Sequence, residues 1–173
     1  MSQLHQMQIT FVPEEDRLLF RLNTSGRQSA EFRFWLTRRY VRILWAALLN
    51  MLKKQQPKEA KREEPIKQQM EMVKQHEEAI EKADFKTKYQ ESHVFPLGED
   101  PILVSKVALK ESGHGSQILC MHPQNGNGLE FDLNEQLLHS FCKLLTDSVT
   151  RAEWNLDLDF GQAEELIAQR GLN

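Results

Sequence analysis

Apolar and polar positions alternate in two places near the start of the chain. Residues 17–23 put Leu18, Phe20 and Leu22 on one face and Arg17, Leu19 and Arg21 on the other, the period of a half-buried strand. Residues 7–12 precede it as a shorter strand, separated by the turn Pro13-Glu14-Glu15-Asp16. After the turn Thr24-Ser25-Gly26-Arg27, residues 32–36 alternate again, with Phe32, Phe34 and Leu36 opposite Arg33 and Trp35. The period then changes. Tyr40, Val41, Leu44, Leu48 and Leu52 follow helical spacing behind Thr37, a suitable N-cap. Residues 1–54 therefore read β-β-β-α.

The second half repeats the order. Residues 102–109 and 117–122 read as strands around the turn Glu111-Ser112-Gly113-His114-Gly115. A loop at 123–128 leads to Leu129, Phe131 and Leu133, which alternate with Glu130 and Asp132. Asn134 caps a helix carrying Leu137, Leu138, Phe141, Leu145 and Val149. At an offset of 97, Phe32, Phe34 and Leu36 fall on Leu129, Phe131 and Leu133, and Thr37 falls on Asn134. The pattern predicts an α+β protein of two β-β-β-α lobes, an internal repeat with a pseudo-twofold axis.

Between the lobes, residues 55–92 are rich in Lys, Glu and Gln. Pro65 suits a first helical turn, and pairs such as Lys67/Glu71 and Lys74/Glu78 stand four apart. We expect a long charged helix over 65–88, touching the rest through Ile66, Met70, Val73 and Ile80. The expected organisation is thus 1–54, a basic lobe; 55–92, a helical linker; and 93–173, an acidic lobe. That last lobe would add an extra strand through Trp154, Leu156, Leu158 and Phe160 and a short helix over 163–169.

Composition narrows the class. Apolar residues make up 40% and charged residues 27% of 173 residues, with a mean hydropathy of −0.56, which suits a folded chain with a real core. The longest apolar run, residues 43–52, is too short to span a bilayer, and the N-terminus lacks the layout of a secretory signal. Two cysteines make no disulfide framework, so a cytoplasmic, membrane-free protein is expected. Charge is uneven: residues 1–54 carry +5, residues 55–98 carry −1 and residues 99–173 carry −7. Opposite signs on the two halves favour docking of lobe on lobe or chain on chain.

Chemistry is sparse. Glycines form no phosphate-binding loop. Cys120 and His122, two apart on one strand, share a face, but a third and fourth ligand are not evident, and no metal or cofactor is expected. Ser112, His114 and Ser116 sit on a hairpin tip without an elbow motif. Asp157 and Asp159 would be the first suspects in an enzyme, yet a solvated strand face produces the same pattern, and no catalytic residue is assigned.

The strongest functional signal is basic and aromatic: Arg17, Arg21, Arg33 and Trp35 on the outward faces of neighbouring strands. Arg38, Arg39 and Arg42 lie on the following helix, and on the opposite side of the layer if that helix covers Phe32, Phe34 and Leu36. At the repeat-related positions of Arg33 and Trp35 stand Glu130 and Asp132. The expectation is a non-catalytic adaptor that self-associates as a homodimer or binds another protein, with Arg17, Arg21, Arg33, Trp35, Glu130 and Asp132 at the contact. The alternative is single-stranded nucleic-acid or other polyanion binding through the basic N-terminal lobe.

Overall fold

The computed structural model of the chain describes residues 3–56 and 64–160. Among them are seven strands in two sheets and three helices, an α+β architecture. The first sheet contains β1 (Leu4–Val12), β2 (Arg17–Thr24), β3 (Glu31–Leu36) and the two-residue β4 (Ile102–Leu103), in that spatial order. The second contains β5 (Lys106–Glu111), β6 (Gln117–His122) and β7 (Leu129–Asp132). The helices are α1 (Arg38–Gln55), α2 (Pro65–Lys82) and α3 (Glu135–Ala152). Among the described residues no helix is long and apolar enough to cross a membrane.

Each sheet is built on a three-strand antiparallel meander, and each meander is followed at once by an 18-residue helix. The two helix starts use the same device. Thr37 Oγ1 accepts the Tyr40 N–H at 3.1 Å, and Asn134 Oδ1 accepts the Leu137 N–H at 2.8 Å, each satisfying an amide left over in a first turn.

Each helix approaches a sheet most closely at the other unit's meander. α3 packs across β1 and α1 packs against β5, so each covers the first strand of the other unit. Phe141 of α3 stacks on Phe20 of β2 with ring centroids 4.7 Å apart. Tyr40 of α1 donates its hydroxyl to the Lys106 carbonyl of β5. Ser148 of α3 reaches the Ile9 carbonyl, an acceptor on the open edge of β1. The inner faces carry Ile9, Leu18, Phe20, Leu22, Phe34 and Leu36 from one sheet, with Leu119, Met121 and Phe131 from the other, in one continuous buried cluster.

Four details depart from the expected elements. Residues 102–109 are not a single strand: Ile102 and Leu103 pair with β3, Val104 turns inward, and from Lys106 the chain pairs with β6. The extended run changes sheets at Val104–Ser105, and its first piece adds a parallel edge to the first sheet.

The charged helix ends at Lys82 rather than near residue 88. The Asp84 carboxylate accepts the Lys86 and Thr87 N–H groups, a local turn that competes with helix continuation.

The docked face of α2 is also rotated. Gln69 and Met72 are buried and Val73, His76 and Ile80 half-buried, while Ile66 and Met70 face solvent. Polar bonds set this rotation: Gln56 to the Gln68 carbonyl, Gln136 to the Ala79 carbonyl, and His76 to His139 of α3.

Finally, residues 154–160 form no strand. Glu153 and Asn155 take left-handed conformations at φ 55° and 52°, which break an extended ladder. The segment instead folds back, with Trp154 donating to Asp16 and Trp45 donating to the Asp159 carbonyl. The short helix expected over 163–169 lies outside the described residues.

Candidate functional site

Strand register decides what the outer face of the first sheet presents. Arg21 stands directly opposite Arg33, and Leu19 opposite Trp35, whose other neighbour is Leu103 of β4. Arg21, Arg33 and Trp35 therefore share one face, as the alternation implied. Two like charges side by side on adjacent strands repel unless something neutral or negative intervenes.

That something is Glu31, a residue sequence reasoning passed over. Its side chain is fully buried beside both arginines. Oε1 accepts Arg21 Nε at 2.8 Å, and Oε2 lies 3.5 Å from an Arg33 nitrogen. The Ser92 N–H and the Tyr89 hydroxyl also donate to it. Burial pushes this carboxyl up, but the Arg21 bond, the Ser92 amide and the two guanidinium charges outweigh that and hold it below the ordinary carboxylate value.

The partners of Glu31 come from a strap, residues 88–99, laid over this end of the sheet. Tyr89 stacks under the Arg21 guanidinium and Phe95 under that of Arg33. Glu91 takes a second Arg21 nitrogen at 3.2 Å, and the Glu99 carbonyl accepts from Arg33. Asn23, buried, bonds the Gln90 carbonyl and Gln6. Val94 pairs with Ala30 in an isolated parallel bridge. Arg21 and Arg33 are thus tied into the fold, with side chains only 16% and 20% exposed.

The other end of the same face differs. Thr10, Leu19, Trp35 and Leu103 form a row across all four strands. Trp35 is part-exposed and Leu103 exposed, at the outer edge of the sheet. Arg17 lies near this end and, among the described residues, forms its one ion pair with Glu15, at 3.7 Å with both side chains partly in solvent.

Glu130 and Asp132 lie on the outer face of the second sheet, apart from the arginines. Asp132 accepts the Ser116 hydroxyl at 2.8 Å. Glu130 pairs with Lys110, whose hydrogen bond is the main reason the carboxyl sits below its ordinary value. Register puts Cys120 directly opposite Glu130, and His122 follows on the same face. The ligand atoms of Cys120, His122 and Glu130 all lie within 4.8 Å of one another, the one such group of three found among the described residues. His122 Nε2 is 3.8 Å from Glu130. Gly128 makes room for this arrangement: a Cβ there would lie 2.6 Å from His122 Nδ1 and 2.0 Å from the Met121 carbonyl oxygen.

Asp157 and Asp159 are exposed in the irregular segment after α3. Ser112 and Ser116 bond each other across the hairpin tip, and Ser112 caps the His114 amide, which are turn-building contacts. A cleft of about 720 Å³ runs beside β1 between α3 and residues 82–89, crossed by the Gln6 bond to the Lys88 carbonyl.

Glu31 was recoverable in principle. A carboxylate two positions before Arg33, on a strand pairing with the one that carries Arg21, is a charge-balancing candidate once register is known. The third member of the Cys120–His122 pair needed the same register. Comparison with protein-family models, with curated proteins and with solved structures finds no match for this chain.

Proposed function

We propose that the protein is a non-catalytic binding module that self-associates through the open end of the first sheet's outer face. The observation that carries this reading is the row Leu19–Trp35–Leu103, which runs to an exposed two-residue edge strand. Trp45 and Trp154 are buried with their indole N–H groups bonded, whereas Trp35 is only part-buried. A tryptophan that gains burial on contact is the commonest kind of interface anchor.

Charge has a smaller part than the sequence alone suggested. With Arg21 and Arg33 engaged by Glu31 and the strap, Arg17 is a nearby cation that can orient a partner's Glu130 or Asp132. Exposed pairs of that kind contribute about 0–1 kcal/mol each, so they orient rather than hold. The same commitment of Arg21 and Arg33 weighs against a polyanion platform, which needs its guanidinium groups available to phosphates.

The two β-β-β-α units are, in this reading, copies of one ancestral unit. Support comes from helices of the same length at an offset of 97, matching caps, and the reciprocal packing of α1 on β5 and α3 on β1.

Sedimentation equilibrium over a wide concentration range tests the function. The wild type is expected to exceed monomer mass, with little change in moderate salt. Trp35→Ala and Leu103→Glu should both shift it to monomer. A wild-type monomer at high concentration contradicts the proposal, and tight, steeply salt-dependent binding of a single-stranded oligonucleotide by that monomer would support the polyanion reading instead.

A further inference from the structure

We propose that Cys120, His122 and Glu130 form a binding site for a divalent zinc-type ion on the outer face of the second sheet. The proposal stands independently of self-association.

A sulfur, an imidazole nitrogen and a carboxylate oxygen are a borderline-soft donor set, the mixture that suits Zn²⁺ better than Ca²⁺ or Mg²⁺. Three protein ligands leave one tetrahedral position for water or a ligand from solution. The three donors are within 4.8 Å of one another, so small side-chain rotations converge them on a single ion.

The scaffold is stiff where it needs to be. Cys120 and His122 lie on β6, the central strand of its sheet, and Glu130 is paired to Cys120 across the ladder. His122 rests against Gly128, where any side chain would strike the ring and the adjoining backbone. The His122 and Glu130 side chains are 36% and 43% exposed while Cys120 is buried, so an ion arrives from the His122 and Glu130 side.

Lys110 is the competitor. Its ammonium already bonds the Glu130 carboxylate, and an incoming ion displaces it. On binding, the Cys120 thiol releases its proton to solvent and joins the ion as a thiolate, Glu130 contributes its existing carboxylate, and His122 binds as the neutral ring.

Titration of the full-length protein with Zn²⁺ against a chelating indicator, and with Co²⁺ followed by absorption, tests the site. A single equivalent should bind, and Co²⁺ should give a thiolate-to-metal band in the near ultraviolet. Both cysteines are buried, but Cys120 alone of the two is grouped with His122 and Glu130, whereas Cys142 lies on α3, so Cys120 is the thiol that such a band reports. Cys120→Ser should abolish the band. His122→Ala and Glu130→Gln should each weaken binding at least about tenfold, since even partners outside the ligand shell are worth about 10–100-fold. Lys110→Met should tighten it. No saturable binding in the wild type, or affinity unchanged in both Cys120→Ser and His122→Ala, overturns the proposal. Weaker binding in Lys110→Met overturns the place given to Glu130 in it.

Discussion

The outer faces of the two sheets carry similar residue types and use them in opposite ways. On the first, a buried Glu31 holds Arg21 and Arg33 under a strap of aromatic and polar residues. On the second, Glu130 and Lys110 pair in solvent, and the carboxylate is shared with His122. Burial makes the difference. A carboxylate removed from water must be surrounded by donors and positive charge, so the first cluster is bound up with folding. An exposed carboxylate needs no partner, so the second is available to a ligand.

Removing one carboxylate from each face gives the widest separation. Glu31→Gln leaves two guanidinium groups facing each other without their counter-charge. Breaking a buried pair this way costs about 3–5 kcal/mol, and the partial exposure of both arginines points to about 3 kcal/mol. Urea unfolding should show a large drop in midpoint. Glu130→Gln should leave the midpoint where it is, and equal effects at the two sites would erase the distinction.

Within the first face, the two arginines should differ. Arg21 makes the short bond to Glu31 and also bonds Glu91, whereas Arg33 is farther from Glu31 and its Nε, though buried, has no partner among the described residues. Arg21→Met is expected to destabilise by about 1–3 kcal/mol, the range for hydrogen bonds to charged groups. Arg33→Met, with less bonding to lose, should cost less in the same unfolding assay.

Acid separates these faces from a third region, the seam between α2 and α3. His76 Nδ1 and His139 Nδ1 are 2.9 Å apart, so one ring donates, the other accepts, and a single proton lies between them. Burial, then His139 and Lys143, push His76 down to about 4, and burial lowers His139 despite the opposing charge of Glu135. The unfolded chain binds protons on these rings from about pH 6.5 downward while the folded chain does not, so stability falls as pH drops from about 6.5 towards 4. Glu31 is shifted in the same direction, but its window lies lower. Its stabilisation is present above its unfolded value of 4.5 and is lost only as pH falls through its lower folded value. His76→Gln should therefore flatten the change in urea midpoint between about pH 7 and about pH 5, and Glu31→Gln should not.

Much of the architecture was readable because local rules governed it. Alternation at Leu18, Phe20 and Leu22 and at Phe32, Phe34 and Leu36 marks the inner faces, and Thr37 and Asn134 cap the helices that their positions imply. What escaped depends on partners distant in sequence. The apolar stripe of α1 identifies a buried side but not whose sheet it covers. On α2 the bonds of Gln68, His76 and Ala79 outweigh the apolar pull of Ile66 and Met70. Glu31 and Glu130 look alike as exposed strand acids until register places one between two arginines and the other beside Cys120.

Trp35 offers the most direct test of the binding role, because it is the one tryptophan of the three with solvent access. Acrylamide quenching of the unmodified protein across protein concentrations reads its environment. The account predicts a quenchable emission component at low concentration that disappears as concentration rises and the Leu19–Trp35–Leu103 row is covered. Quenching that stays the same from dilute to concentrated solution would contradict it.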